Sequence, residues 1–247
     1  MGEYFDTVLK PRIQKVVYST DWNDGKPVSR DTGISHMFKY IRLESYEDAL
    51  ANIVFRRSKD QQALLDGVEG FRESYMLRYM LDVESKDSQT LLNIDHFDDP
   101  FSYKLLVGTG SAGETKPVNV DLVETFNWLL GLKVRHIDCI EGFRVVEGAN
   151  PKGERVLVIW RKIRDLSETD SQKIAAAREQ ANEDLDAFFR KQQYNTLDSE
   201  YDLIYVNGDN NLMNVPLDPD KEGVEPRYKV RLIEEEFKKL MFDVKDV

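Results

Sequence analysis

Apolar positions along the chain recur at two different spacings, and the spacings predict the elements. Over residues 3–18, Phe5, Val8, Leu9, Ile13, Val16 and Val17 fall at near-helical intervals, with Pro11 inside the run as the expected place of a kink or break. The turn formers of WNDGKP (22–27) end this element. MFKYIRL (37–43) alternates as a half-buried strand does. Ser45 then N-caps a helix, with Asp48 three residues on and a stripe of Tyr46, Ala49, Leu50, Ile53 and Val54. SYMLRYMLDVE (74–84) is apolar-rich and predicts a strand, and residues 101–107 predict another.

The second half carries sharper signals. Asp121 is a good N-cap, Glu124 stands at the third helical position, and Leu122, Val123, Phe126, Leu129 and Leu130 lead to Gly131 at the stop, which predicts a short apolar helix over 122–130. FRVVEG and ERVLVIWRK flank NPKG (150–153) and read as a β-hairpin. Ile174, Ala177, Ala181, Leu185, Phe188 and Phe189 define a long amphipathic helix over 170–192. DLIYVNG (202–208) is a further strand, and the order strand, helix, strand from VLVIW to LIYV implies a parallel pair with a right-handed crossover. EEEFKKLMF closes the chain as a short helix. The elements together predict an α/β (or α+β) fold: a mixed β-sheet with packed helices and an N-terminal helical extension. The turn region at 19–36 is the expected domain boundary, dividing 1–30 from 31–247.

Length and composition narrow the class. The 247 residues suit one large domain or two small ones, and 41% hydrophobic with 32% charged residues is ordinary for a soluble globular protein. No apolar run approaches a membrane span, and MGEYFDTVLKPR lacks a signal pattern, so no membrane is expected and the cytoplasm is the default. A formal net charge of −11 argues against the whole surface binding nucleic acid. Local basic faces remain: Lys10, Arg12 and Lys15 in the first segment, and Arg56, Arg57 and Lys59 in the second, are candidates for DNA backbone contact. The single Cys139 rules out an intrachain disulfide and a thiolate metal cluster. It reads as a small buried thiol rather than a nucleophile served by His136. His36, His96 and His136 are scattered without metal-ligand spacing, so no metal site is expected.

Three loops invite a chemical reading. GTGSAG (108–113) contains G-x-G-x-x-G after an apolar run, but such a loop binds phosphates by opening a helix. Pro117 biases Lys116 away from the helical region, and the next helix starts only at Asp121, so these glycines read as a turn between two strands. DDPF (98–101) invites comparison with the D-P-P-Y tetrad of amino-methyltransferases, whose acid and proline carbonyl hold the target amine and whose ring stacks on a flipped base. Its second proline is missing and its aromatic lies one position early, so it reads as a loop with Asp99-Pro100 as turn initiator. YVNGDNN (205–211) offers oxygen ligands for a cation or a sugar, but Asn-Gly and Asp-Asn are also ordinary turn chemistry, and the turn is favoured.

Several strings taken together resemble a known family: EYFDTVLKPRIQKVVYS with W-x-D-G-K-P (3–27), FKYIRLESYEDAL (38–50), LLNIDHFDDPFSYKL (91–105), VDLVETFNWLLGL (120–132), ERVLVIWR (154–161), DLIYVNGDN (202–210) and FKKLMF (237–242). In order and over nearly the whole chain, they look like the C-terminal region of the large adenine-specific DNA methyltransferases that serve as modification subunits of type III restriction-modification systems. In that family an F-x-G-S-G loop binds S-adenosylmethionine, a strand ends in an acid that holds the ribose, and a helix of the pattern E-Y-F/V…R-I follows. Glu3, Tyr4, Phe5, Arg12 and Ile13 match that helix, so the resemblance places the ribose acid before Met1.

Both family signatures, F-x-G-S-G and D-P-P-Y, are absent from the sequence. GTGSAG lies far beyond the matching helix and lacks the phenylalanine. The resemblance therefore implies a chain that is inactive alone and carries no catalytic, cofactor-binding or metal residues. S-adenosylmethionine belongs to the complete enzyme. A truncated gene product, half of a split gene or a cloned fragment is expected, and the start at Met1-Gly2 inside a continuous family pattern favours a truncated or split reading frame. The implied role is assembly: contact with the methyltransferase catalytic core, homodimerisation or docking of the restriction subunit, and DNA contact through the whole complex. Phe5, Val8, Leu9, Ile13 and Val17 are the candidate core or subunit interface, because that helix would cover the cofactor-binding sheet. The alternatives are a stand-alone nucleic-acid-binding or protein-interaction module, and a nucleotide-binding enzyme that uses the 108–113 loop.

Overall fold

A computed structural model describes residues 4–29, 31–34, 39–41, 48, 52, 94–109, 114–217 and 227–242. The expected strand at 74–84 lies outside these residues, as does most of the 46–54 helix. Of the expected strand at 37–43 only 39–41 are described, and they form no strand. The chain divides into two units, Met1–Leu43 and Glu44–Val247.

In the first unit a π-helical turn (Phe5–Leu9) runs directly into helix α1 (Lys10–Tyr18). Pro11 explains the irregular start. Proline lacks an N–H and its ring crowds the carbonyl four residues back, so a regular helix cannot pass through it. The backbone instead widens just before it, with Lys10 N donating to Phe5 O. WNDGKP folds into a two-stranded hairpin, β1 (Trp22–Asn23) and β2 (Lys26–Pro27). Asp24 and Gly25 sit at φ 47° and 76°, the two left-handed positions that a tight two-residue turn demands. The chain then returns to the helix end: Ile34 N donates to Val16 O at 3.1 Å, and a Cβ on Gly33 would lie 2.3 Å from Val17 O. The turn region therefore stays with α1, and the division falls at 43/44 rather than at 30/31.

The second unit is built on a mixed five-stranded sheet: β5 (Lys133–Ile140), β6 (Phe143–Ala149), β7 (Arg155–Trp160), β8 (Leu203–Val206) and β9 (Val230–Leu232), in that spatial order. β5, β6 and β7 pair antiparallel, and β7, β8 and β9 pair parallel. Helix α2 (Leu122–Leu129) and helix α4 (Ile233–Phe242) cover one face; helix α3 (Ser171–Gln192) covers the other. A separate hairpin, β3 (Lys104–Gly108) and β4 (Thr115–Asn119), precedes α2.

Alternation along the central strands sets these layers. Val156, Val158 and Trp160 of β7 and Leu203 and Tyr205 of β8 pack with Phe126, Ile233 and Phe237. Leu157, Ile159, Ile204 and Val206 point the other way, onto Leu185, Phe188 and Phe189 of α3. Because both faces are covered, β7 and β8 read as unbroken apolar runs, the signature of strands buried on two sides. Helix ends follow local chemistry: the Asp121 side chain accepts from Glu124 N at 3.0 Å, and Gly131 adopts φ 61° past the end of α2. Asp170 caps α3 by accepting from Gln172 N and Lys173 N.

Candidate functional site

The residues expected at an interface lie on the π turn and α1. Phe5 and Leu9 are exposed and Val8, Ile13 and Val17 half-buried; none of the five is buried within the chain. Val16 and Tyr18 beside them are also exposed. Tyr40 partly covers the start of the segment: its ring stacks on Phe5 at 5.2 Å and its hydroxyl donates to Asp6 Oδ1 at 2.7 Å. Of the candidate DNA contacts, Lys10 lies 4.0 Å from Asp6 and 4.3 Å above the Tyr40 ring, and Lys15 lies 5.4 Å above the Trp22 ring. Arg12 is exposed. At about 100° per residue, Arg12 and Lys15 share one side of α1 and Lys10 stands on another. Arg56 and Arg57 lie outside the described residues.

The glycine loop joins two antiparallel strands, with Thr109 N donating to Glu114 O at 3.0 Å and β4 beginning at Thr115. Among the described residues no helix starts beside it, since the chain continues directly as β4, and a phosphate-binding loop of this type opens a helix. Residues 110–113 themselves lie outside the described residues. The Asn52 amide faces β3, its Oδ1 accepting from Leu106 N at 2.7 Å and its Nδ2 donating to Leu106 O at 2.8 Å.

Cys139 corrects an expectation. It is exposed, not buried, because β5 is an edge strand whose residues from Arg135 to Cys139 all face solvent. Its odd spacing from His136 puts the two side chains on opposite faces of the strand.

The polar chemistry that the fold does concentrate lies elsewhere, at the carboxyl ends of the parallel strands β7, β8 and β9. In open α/β sheets this edge is where ligands bind. A cleft of about 290 Å³ opens there. Asp98 enters from the short 3-10 turn Ile94–Asp98, Ile163 follows β7, Gly208 and Asp209 follow β8, and Leu232 and Glu234 mark the junction of β9 with α4. Helix α3 adds Arg178 and Asn182.

DDPF holds this cleft together. The turn expected at Asp99-Pro100 is present, with Ser102 N donating to Asp99 O at 3.3 Å. Both acids are buried: the Asp98 carboxylate accepts from Arg164 Nε and from Arg178 at 3.1 Å, and Asp99 pairs with Lys162 at 3.3 Å. The Asp98 carbonyl also accepts from Ile163 N at 2.7 Å. Asn207, from YVNGDNN, is fully buried and ties the ends of two strands. Its Oδ1 accepts from Arg161 N at 2.8 Å, and its Nδ2 donates to Phe97 O at 2.9 Å and Arg161 O at 2.8 Å. This segment is more than a turn.

Arg161 and Glu234 are the residues that sequence reasoning missed. Arg161 is buried just past β7, and its guanidinium donates to Ala181 O, Asn182 Oδ1 and Asp209 O at 2.8, 2.9 and 2.8 Å. Burial lowers its pKa to about 10, so it stays charged at neutral pH. Glu234 is buried at the first turn of α4; Oε1 accepts from Gly208 N at 2.7 Å, and Oε2 has no hydrogen-bond partner among the described residues. Burial pushes the Glu234 carboxyl up to about 7, partly opposed by backbone N–H groups and by Arg161. A charge closing an apolar strand, as in VLVIWR, is the one available sequence signal for Arg161. Glu234 has none, since it is one of three consecutive glutamates.

Comparison with models of protein families, with curated proteins and with solved structures finds no match. The site's chemistry therefore has to be read from the side chains themselves.

Glu234 makes stability depend on pH with a definite sign. Its folded pKa lies above its ordinary value of 4.5, so the folded state binds the proton more tightly than the unfolded chain. Its contribution is fully present below about 4.5 and is lost as pH rises to about 7. The total loss is on the order of 3 kcal/mol. Glu234→Gln keeps the acceptor for Gly208 N and removes the titration. The difference in unfolding free energy between variant and wild type is therefore expected to grow in the variant's favour by about 2–3 kcal/mol between pH 5 and pH 8. Urea denaturation at the two pH values measures it, and a difference that does not change with pH refutes the assignment.

Proposed function

We propose that this chain is the accessory, assembly portion of an adenine-specific DNA methyltransferase of a restriction-modification system, without catalytic activity of its own. The observation that carries the reading is the unburied apolar face of the π turn and α1. Leu9 is 42% and Val16 45% exposed, in the segment whose sequence resembles the helix that covers the cofactor-binding sheet in that family. Exposed apolar surface of this kind marks an interaction site. In this reading the catalytic core supplies both the S-adenosylmethionine pocket and the pocket for the flipped base, and it seats itself on Phe5, Leu9, Ile13 and Val16. In this reading the assembled enzyme works in the cytoplasm and contacts DNA, and this portion serves its dimerisation or the docking of its restriction subunit.

The test is reconstitution with the catalytic core of a type III adenine methyltransferase. Calorimetric titration of S-adenosylmethionine into the chain alone is expected to give no heat of binding. Addition of the chain to the core is expected to raise methyl transfer to DNA, and Leu9→Asp with Val16→Asp is expected to weaken that association at least about tenfold. Stoichiometric cofactor binding by the chain alone, or association indifferent to the double substitution, refutes the reading.

A further inference from the structure

The cleft at the carboxyl ends of β7, β8 and β9 carries acids that the fold itself leaves without cations. Asp98 is matched by Arg164 and Arg178. Three further carboxylates stand along the walls: Asp209 after β8, and Glu234 and Glu235 at the start of α4. Asp209 and Glu235 are exposed, and neither carboxylate forms an ion pair among the described residues. Glu234 differs in kind. It is only 8% exposed, yet its Oε2 has no hydrogen-bond partner among the described residues. Burying a carboxylate oxygen without a donor is costly, and this one belongs to the wall of an open cleft, from which a donor can reach it. Arg161 does not fill that role. Its guanidinium is engaged by Ala181 O, Asn182 Oδ1 and Asp209 O, and its Nε makes no bond to Glu234.

Charge and size narrow the ligand. Arg161 lies in the field of four acids, Glu234, Asp209 and, from α3, Asp184 and Asp186. A phosphate or carboxylate ligand meets the free acids of the cleft as a like charge. A metal ion does not suit the site, because among the described residues no three acids, histidines or cysteines are grouped closely enough to share one. What fits is a cation with N–H donors at separated points. Ile163 and Leu232 line the same cleft and offer apolar contact to methylene groups between those points. A volume of about 290 Å³ stands at the small end of the range for ligand sites.

We propose that this cleft binds a small aliphatic organic cation, a diamine or an amino-guanidine, with one charged end donating to the free oxygen of Glu234 and the other held at the mouth by Asp209 and Glu235. The site is independent of the methyltransferase reading, since it needs only the chain itself. Binding is coupled to a proton. Burial raises the Glu234 carboxyl to about 7, the N–H groups of Glu234 and Gly208 oppose that rise, and Asp98 adds to it while Arg161 opposes it. Arg178 from α3 and Asp209 from the loop after β8 face the same cleft. At neutral pH the carboxyl is therefore partly protonated, and a cation that selects the ionised form expels the proton.

The test is calorimetric titration of agmatine into the full chain at pH 7, in two buffers of different ionisation enthalpy. Agmatine is expected to bind with a Kd of about 1 mM or tighter and to release about half a proton per molecule bound. Glu234→Gln keeps the acceptor for Gly208 N and is expected to weaken binding at least about tenfold and to abolish the proton release. Glu235→Gln, at an exposed position that the fold does not need, is expected to weaken binding about threefold with the proton release intact. N-acetylarginine amide carries a similar cation on a bulkier stem and distinguishes a free small molecule from an arginine of another protein; it is expected to bind at least about fivefold more weakly than agmatine. No binding of agmatine by about 10 mM overturns the proposal. So does binding without proton release, binding undiminished by Glu234→Gln, or tighter binding of the blocked arginine.

Discussion

Arg161→Ala is expected to lower the unfolding free energy by about 4–5 kcal/mol. The guanidinium reaches from the end of β7 to α3, at Ala181 O and Asn182 Oδ1, and to the loop after β8, at Asp209 O. Alanine takes a donor from the buried Ala181 carbonyl, from the half-buried Asn182 amide and from the Asp209 carbonyl, and removes the buried positive charge that favours the ionised Glu234 carboxylate. Breaking one side of a buried ionic arrangement is costly because the remaining group keeps its desolvation penalty. Two readouts check this. Urea unfolding at neutral pH gives the stability loss, and the Glu234 carboxyl is expected to titrate above about 7 once Arg161 is gone. Arg161→Lys keeps the charge but cannot fork to three acceptors, so it is expected to recover less than half of the loss. A loss below about 1 kcal/mol for the alanine variant would falsify the account.

The second large effect is expected at Asn207. Its amide pairs with both backbone groups of Arg161 and with the Phe97 carbonyl. It thereby extends the β7–β8 ladder by a side chain, past the point where the strands stop pairing, and holds the 94–98 turn against the sheet. Asn207→Ala leaves one N–H and two carbonyls buried without partners, and at about 1–3 kcal/mol for each such group, partly relieved by water, about 3–4 kcal/mol is expected. Asn207→Asp is expected to be no better. It replaces a donor to two carbonyls with an acceptor and adds a buried charge. Hydrogen exchange should show where the damage falls: the amides of Ile163 and Arg164, which donate to Asp98 O, are expected to lose protection first. Because Asn207 and Arg161 share one network, the double variant is expected to lose less than the sum of the singles.

Legibility in the sequence followed the range of the interaction. Asp121, Glu124 and Gly131 bound α2 as expected, since capping involves only neighbours within one turn. The β6–β7 hairpin, α3, β8 and α4 were legible from periodicity and turn residues, and the strand–helix–strand order from β7 to β8 announced their parallel pairing. The glycines of 108–113 read correctly as a strand connection because Pro117 is a local constraint. β5 and β9 were not legible. β5 is an exposed edge that carries charges where alternation would be read, and β9 is three residues long. Cys139 was misplaced for the same reason: its exposure follows from the strand's position in the sheet, not from its type.

Among the described residues, the sequence by itself thus determined helices α2, α3 and α4, the central strands, their turns and the mixed α/β class, because those rest on contacts among residues close in the chain. Only the tertiary structure decided which charges are buried and what they meet. Asp98, Arg161, Asn207 and Glu234 are far apart in sequence, and each sits in a stretch whose local pattern reads as an ordinary turn or solvated helix end. They converge because parallel strands β7, β8 and β9 end side by side, with α3 and α4 packed on the two faces of the sheet. Burial is what turns a surface arginine into a three-way brace and raises a glutamate towards neutral pH, and burial belongs to the assembled layers rather than to any one segment of the chain.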